Sequence, residues 1–239
     1  SLRCQPGVIT KTLQVFAESK GLFYPVDFGS SGSSHIGGNI ATNAGGIKVI
    51  RYGLTRNWIS GLRVVTGNGE LLDLNHGLIK NATGYDFLHL FIGSEGTLGF
   101  ITEATIKLTE SPLPQKVILI SLQQKNCLFA ILNAFKSLRY LSAIELFSDK
   151  ALQFVLKNQS LNMPFSKEAP FYVLLEFDGV KENTELALDI LQDCFSNQWI
   201  NDAIISESTE QANSLWRLRE EISMSLRPYF PYKYDISVL

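Results

Sequence analysis

The stretch SSHIGGNIATNAGGIKVIRYG, residues 33–53, concentrates glycine and small polar residues in a pattern that points to chemistry. Glycine inside a helix or strand costs about 0.5–1 kcal/mol relative to alanine. Such a run is a weakness unless backbone must pass very close to something. Gly37-Gly38 and Gly45-Gly46 bracket NIATNA, whose threonine and asparagines add hydrogen-bonding side chains. A second cluster, GSEGTLG, occupies residues 93–99. Glycine allows positive φ, and without a Cβ several backbone N–H groups can crowd around one anion. This equipment suits a dinucleotide pyrophosphate, with a flat ring laid against backbone. The pattern is neither the G-x-G-x-x-G of a strand-to-helix turn nor the G-x-x-x-x-G-K-[ST] phosphate loop. Glycine content alone fits a tightly packed turn region without a ligand equally well.

Other chemistries find less support. Cys4, Cys127 and Cys194 lie far apart with no C-x-x-C spacing, so neither a disulfide framework nor a zinc site is expected. His76 and His89 are isolated, lack i,i+4 partners and read as surface or packing residues. No metal-ligating set emerges. The formal net charge is −2 with Lys and Arg scattered, which argues against a nucleic-acid partner. No apolar run approaches the eighteen or so residues of a membrane span, and no signal peptide is evident. Free cysteines and these absences lead to the expectation of a cytoplasmic protein, in which the N-x-[ST] matches at Asn81 and Asn158 are chance.

The elements that must position these residues follow from periodicity. With 239 residues, 45% hydrophobic and 18% charged, the chain is globular and long enough for one large domain or two small ones. Residues 7–20 place Ile9, Leu13, Phe16 and Ala17 on one helical face, and Gly21 stops the helix. Strands are expected at 58–66 and 70–74 across a GNG turn, and another follows the second glycine cluster at 100–108. SPLPQ at 111–115 reads as a linker. Beyond it glycine nearly vanishes and strands alternate with amphipathic helices. Strands are expected at 116–122, 142–147, 171–177 and 201–206, and helices at 125–139, 149–158, 181–196 and 209–226. The fold class is α+β: a glycine-rich ligand domain over 1–112, then a cap over 113–239 built of two βαβ-like halves, with an antiparallel sheet and helices on one face.

Read in order, GSSGSSHIGGNIATNAGGIKVIRYG, VVTGNGELLDL and LIKNATGYDFLHLFIGSEGTLGFITEATIKL resemble the FAD-binding domain of FAD-linked 2-hydroxyacid dehydrogenases, of the vanillyl-alcohol oxidase type. The likeness is greatest to the D-2-hydroxyglutarate dehydrogenases, D-lactate dehydrogenases and glycolate oxidase flavin subunits. It implies an oxidoreductase that carries FAD and converts a 2-hydroxy acid to the 2-oxo acid by hydride transfer to the flavin. By that resemblance Ser30, His35, Gly37, Gly38, Ala41, Thr42 and Gly45 would line the pyrophosphate and ribose. His35 stands where the family more often has a small residue. Ile101 would offer main-chain hydrogen bonds to the adenine, while Asn81, Gly84, Glu95 and Gly96 would sit behind the cofactor.

LWRLREEISMSLRPYFPYKYDIS resembles the family's substrate segment and would make Arg219, Ser223 and Lys233 a carboxylate clamp. Four residues apart, Arg219 and Ser223 would share a helix face; a guanidinium grips a carboxylate bidentately and an ammonium adds a point charge. The Ser223-to-Lys233 spacer is one residue shorter than in the hydroxyglutarate enzymes. Without the resemblance, Arg219 reads as a surface ion pair within RLREE. Two family features are missing: the first half of the flavin domain, expected before residue 1, and a histidine-rich motif with the catalytic base and a divalent metal such as zinc, expected beyond residue 239. No catalytic residue or metal ligand is assigned here, no electron acceptor is indicated, and the chain alone is expected to be weak or inactive. The competing class is a flavin-free, non-catalytic fragment or assembly subunit, whose exposed apolar surface would favour a homodimer.

Overall fold

The computed structural model describes residues 1–75, 78–234 and 236. The chain forms two compact units, Ser1–Pro112 and Leu113–Leu239. Among the described residues no helix is long and apolar enough to cross a membrane.

The first unit runs β1 (Leu2–Cys4), α1 (Thr10–Glu18), β2 (Leu22–Phe23), α2 (Ile36–Ala41), α3 (Val49–Tyr52), β3 (Ile59–Thr66), β4 (Leu71–Leu74), α4 (Phe87–Phe91), β5 (Gly99–Ile106) and β6 (Thr109–Glu110). Four strands form an antiparallel sheet in the order β1-β5-β3-β4, and β2 pairs with β6. Apolar side chains at alternate positions of β3 and β5, including Leu62, Val64, Ala104 and Ile106, meet Ile36 and Ile40 of α2 and Leu13 of α1 in one core. The expected GNG turn joins β3 to β4, with Gly69 at φ +85°.

Helix α1 is shorter than the periodicity implies, and its buried face is Thr10, Leu13, Gln14 and Ala17. Phe16, expected inside, is 47% exposed. Gln14 takes the inward position because its amide Nε2 donates to Val26 O at 3.1 Å and to Asp27 Oδ1 at 3.2 Å. Gly21, at φ +68°, ends this helix as expected, its N–H donating to Glu18 O at 2.9 Å.

The second unit runs β7 (Gln115–Leu122), α5 (Leu128–Phe135), β8 (Leu141–Ser148), α6 (Asp149–Asn158), β9 (Phe171–Asp178), α7 (Lys181–Ser196), β10 (Asp202–Ile205), α8 (Thr209–Glu220) and α9 (Ile222–Leu226). Its sheet is antiparallel in the order β10-β7-β9-β8. Strands β7 and β8 therefore flank β9, and β9 and β10 flank β7, so the two βαβ halves interlock. On one face Ile118, Ile120, Val173, Leu175 and Phe177 pack against Ile131 and Phe135 of α5 and Ala187, Ile190 and Leu191 of α7. The opposite face carries Leu119 and Leu174, both fully buried, and there α8 packs on β7 and β9, adding a second helical layer.

Helix α5 spans less than the expected 125–139. Asn183 of α7 draws the chain out of the helix by accepting the Arg139 N–H at 3.1 Å and donating to the Arg139 carbonyl at 2.7 Å. The expected helix over 209–226 is two helices. Glu221, at φ −72° and ψ −7°, turns the following N–H groups off the ladder and separates α8 from α9.

Burial pushes the thiol of Cys194 up to about 11 from the usual 9.0, and Asp193 adds to the shift. Burial and then Glu103 push Cys4 up to about 11 as well. A raised thiol pKa means the folded state keeps protons that the unfolded state has released, so stability falls as pH rises from about 9 towards 11. Thermal melts across this window are expected to show a falling Tm, with a shallower fall in Cys194→Ala. Equal slopes in the two proteins would contradict the assignment.

Candidate functional site

The glycine-rich segment is hung on the N-terminal stretch by backbone. Gly37 N–H donates to Pro6 O at 2.8 Å, Ile36 N–H to Val8 O at 2.9 Å, Thr10 N–H to Ser34 O at 3.0 Å and Lys11 N–H to Ser31 O at 2.9 Å. Beneath these bonds the buried Asn39 Nδ2 donates to Thr10 Oγ1 at 2.6 Å, and Thr10 Oγ1 and Ser34 Oγ lie 2.9 Å apart. Gly37 and Gly38 thus sit in a short helix, α2, rather than in a loop.

The reasons for the glycines differ from position to position. None of Gly37, Gly38, Gly45 and Gly46 has positive φ. Gly37 is required by contact, since a Cβ there would lie 2.4 Å from Pro6 Cβ. A Cβ on Gly46 would collide with the backbone carbonyl of Asp27. Gly38 is different: a Cβ there would meet nothing within 4 Å. Its N–H has no acceptor among the described residues. Packing explains Gly37 and Gly46 and leaves the open space over Gly38 for a ligand to fill.

The second cluster is where positive φ matters: Gly93, Glu95 and Gly96 stand at +87°, +50° and +77°. That winding lets Gly93 N–H donate to Ile40 O at 3.0 Å and Glu95 N–H to Ala41 O at 2.9 Å, stitching the second cluster to the end of α2. Gly38, Ala41, Thr42, Glu95 and Gly96 are thereby gathered, and Thr42 Oγ1 donates back to Gly38 O at 3.0 Å. Ser30 forms the preceding turn, its carbonyl accepting from Ser33 and Ser34. His35 occupies the position before α2 with an exposed side chain that makes no capping bond. Gly45 is exposed beside Leu54. The Ile101 side chain is buried in the core, but β1 pairs only with Ala104–Ile106, so among the described residues the β1-side edge of β5 has no strand neighbour at Ile101. These residues fit a flat, phosphate-bearing cofactor: exposed backbone, little side-chain bulk and a free main-chain edge.

Asn81 and Gly84 are not part of that gathering. They line a separate cleft of about 690 Å³ with Ser60, Lys107 and His89, and none of residues 30–45 lines it. Asn81 Nδ2 donates to Asn75 Oδ1 at 2.8 Å and braces the cleft's loop. His89, expected to be isolated, has a partner: its Nδ1 is 2.7 Å from Asp86 Oδ2, and Asp86 also caps α4 by accepting the His89 N–H. That N–H lowers the Asp86 carboxyl below its ordinary value. The Asp-x-x-His spacing carried the signal for this pair. His76 lies outside the described residues. Among the described residues no three His, Cys, Asp or Glu side chains cluster closely enough to hold a metal ion.

In the second unit, Ser208 caps α8 by accepting the Gln211 N–H, with Glu210 in the first turn and Arg217 and Arg219 in the last. Two side chains three apart on α8 reach carboxylates on adjacent strands. Trp216 Nε1 donates to Glu176 Oε2 of β9 at 2.8 Å, and Arg219 Nε donates to Glu145 Oε2 of β8 at 2.7 Å. The partner of Arg219 is therefore on the sheet, not in the neighbouring RLREE. Because α8 ends at Glu220, Arg219 and Ser223 lie on consecutive helices instead of one shared face. Lys233 does meet Ser223, its Nζ donating to Ser223 Oγ at 2.6 Å. Glu145 and Glu176 were missed from sequence; the signal was an acid in the interior of each apolar strand, LSAIELFS and FYVLLEFD.

Comparison with known proteins places this geometry. Residues 115–239 match the family model described as FAD linked oxidases, C-terminal domain, and residues 1–75 match that of the FAD binding domain. The chain belongs to the FAD-linked oxidases. D-2-hydroxyglutarate dehydrogenase of Stutzerimonas stutzeri strain A1501 is 53% identical over 236 residues, covering 98% of this chain and 51% of that protein. The mitochondrial D-2-hydroxyglutarate dehydrogenase of Arabidopsis thaliana is 38% identical over 245 residues, covering 99% and 44%. The chain thus spans about half the length of the curated relatives it matches. Among solved structures, an alkyldihydroxyacetonephosphate synthase superposes with a TM-score of 0.69 at 20% identity, over 95% of this chain and 43% of that one. The 4-ethylphenol oxidase of Gulosibacter chungangensis gives 0.67 at 16%, over 96% and 51%. Both share the α+β fold, and FAD is the cofactor that the two family models specify.

The two kinds of glycine give opposite expectations for this FAD-linked oxidase. Gly46→Ala forces a Cβ into a backbone carbonyl and should destabilise by about 1–3 kcal/mol, whereas Gly38→Leu should change stability by no more than about 1 kcal/mol. In urea unfolding and FAD fluorescence titration, Gly38→Leu should lose FAD affinity while keeping its midpoint. Equal destabilisation by both, with FAD affinity intact in Gly38→Leu, would contradict the cradle.

Proposed function

We propose that this chain supplies the flavin cradle and the substrate clamp for oxidation of a D-2-hydroxy acid to its 2-oxo acid, with D-2-hydroxyglutarate preferred over lactate or glycolate. The observation that carries the reading lies in α8 and α9: Lys233 Nζ against Ser223 Oγ, and Arg219 paired with Glu145 through Nε alone among the described residues, which leaves its Nη atoms for a ligand. Two cations suit two carboxylates, and lactate and glycolate have one each. The names of the relatives support the same substrate class.

Each residue's part follows from its chemistry. The unengaged Nη atoms of Arg219 offer two parallel donors to a carboxylate. Lys233 fixes the Ser223 hydroxyl by donating to its oxygen, which leaves the Ser223 O–H to donate to a substrate oxygen. The backbone around Gly38, Thr42 and Gly96 would hold the cofactor, and Ala41 adds only a methyl group there. The chemistry a bound flavin supplies is acceptance of a hydride from the carbon bearing the hydroxyl. The chain's own contribution is to bind and orient the acid by its carboxylates.

A second reading, a non-catalytic assembly piece, is favoured by the exposure of Ile79, Tyr85 and Phe100. A chain that fails to retain FAD and elutes as a dimer on sizing would support it. Calorimetric titration of the FAD-loaded chain tests the main reading with D-2-hydroxyglutarate, D-lactate and neutral 1,2-propanediol. Arg219→Ala should weaken the two acids by about tenfold or more and leave the diol unchanged. An unchanged affinity for the acids would overturn it.

A further inference from the structure

The contact between Arg219 and Glu145 has a geometry that the clamp itself does not require. Arg219 is the last basic residue of α8, and its side chain remains 31% exposed, whereas that of Glu145 is 20% exposed. The two are joined through Nε and Oε2 at 2.7 Å, across 74 residues of sequence. Glu145 sits in β8 opposite Leu174 of β9, and Ala143, on the same face, sits opposite Glu176. Glu176 in turn holds Trp216, three residues before Arg219 on the same side of α8. One helix face is thus pinned at two points, by carboxylates on neighbouring strands.

A guanidinium can receive a carboxylate in two ways: side-on, through Nε and one Nη, or end-on, through both Nη atoms. With Nε taken by Glu145, the side-on approach is closed and the end-on approach remains. We propose that Glu145 is a positioning residue, which fixes the Arg219 guanidinium so that only its terminal nitrogens face the ligand carboxylate. The inference rests on the reading of Arg219 as a carboxylate clamp. It adds that the orientation of the bound acid is set from β8, by a residue that does not itself touch the ligand. Pinning also removes side-chain freedom from Arg219 before the ligand arrives, so less entropy is lost on binding. A different role would be competition, with Glu145 occupying the place of the ligand and having to leave. The two roles predict opposite signs.

The test is calorimetric titration of the full FAD-loaded chain with D-2-hydroxyglutarate, for the wild type, Glu145→Gln, Glu145→Ala and Arg219→Ala. Gln keeps an oxygen acceptor for Nε, so Glu145→Gln should stay within about threefold of the wild type while Glu145→Ala loses about tenfold. In a double-mutant cycle, Arg219→Ala on the Glu145→Ala background should cost less than it does alone. A general loss of structure would not be rescued selectively by Gln, and melts of each variant accompany the titrations. If Glu145→Ala fails to fold, Glu145→Met keeps the volume without the acceptor and gives the same comparison. Binding that is unchanged or tighter in Glu145→Ala, while Arg219→Ala still loses it, overturns the inference and leaves the clamp standing. Glu145→Gln as weak as Glu145→Ala overturns it too. Binding indifferent to Arg219→Ala, or absent from the wild type, overturns the clamp and with it the inference.

Discussion

The buried amide of Asn39 is the constraint on which the cofactor side of this protein depends. It donates to Thr10 Oγ1, which lies against the half-buried Ser34 Oγ, and both Asn39 and Thr10 are buried. A buried side-chain donor without a partner costs about 1–3 kcal/mol, so this trio fixes the register between residues 5–11 and 30–39. Once it is fixed, Gly37 must pack on Pro6, α2 points its carbonyls at Gly93 and Glu95, and Gly38 is left facing open space. The bareness of the segment follows from this arrangement: Gly37 and Gly46 make room for the protein itself, and Gly38 faces open space.

The second unit solves a different problem with the same economy. A helix packed on an apolar sheet can slide, because apolar packing alone is non-directional. Hydrogen bonds from Trp216 to Glu176 and from Arg219 to Glu145 supply the direction. Glu176 is buried and Glu145 half-buried, and a carboxylate taken from water is costly without a donor, which the Trp216 Nε1–H and the Arg219 guanidinium supply to one oxygen of each.

Much of this was legible in the sequence, and the failures share a cause. The apolar runs of β7 and β9 and the bounds of α6 and α7 follow from local patterns, the runs reading as strands buried on both faces and the helices as amphipathic stretches between them. Helix α5 was overestimated because Asn183, 44 residues away, captures the backbone of Arg139. Phe16 was placed inside because nothing local shows that Gln14 can reach Val26 and Asp27. Glycine clustering signalled a cradle but not which glycine serves it, since Pro6 and Asp27 decide that from outside the segment. The resemblance brought Arg219, Ser223 and Lys233 forward; the acid inside the apolar strand LSAIELFS marked Glu145 as unusual, but its partner, 74 residues away, is set by the tertiary fold.

The central claim is that this chain holds FAD on the backbone around Gly38. The most direct measurement is the visible absorption spectrum of the purified chain after incubation with FAD and desalting. The account predicts flavin absorbance that co-elutes with the protein in near-equimolar amount. A colourless protein that releases all added FAD would contradict it.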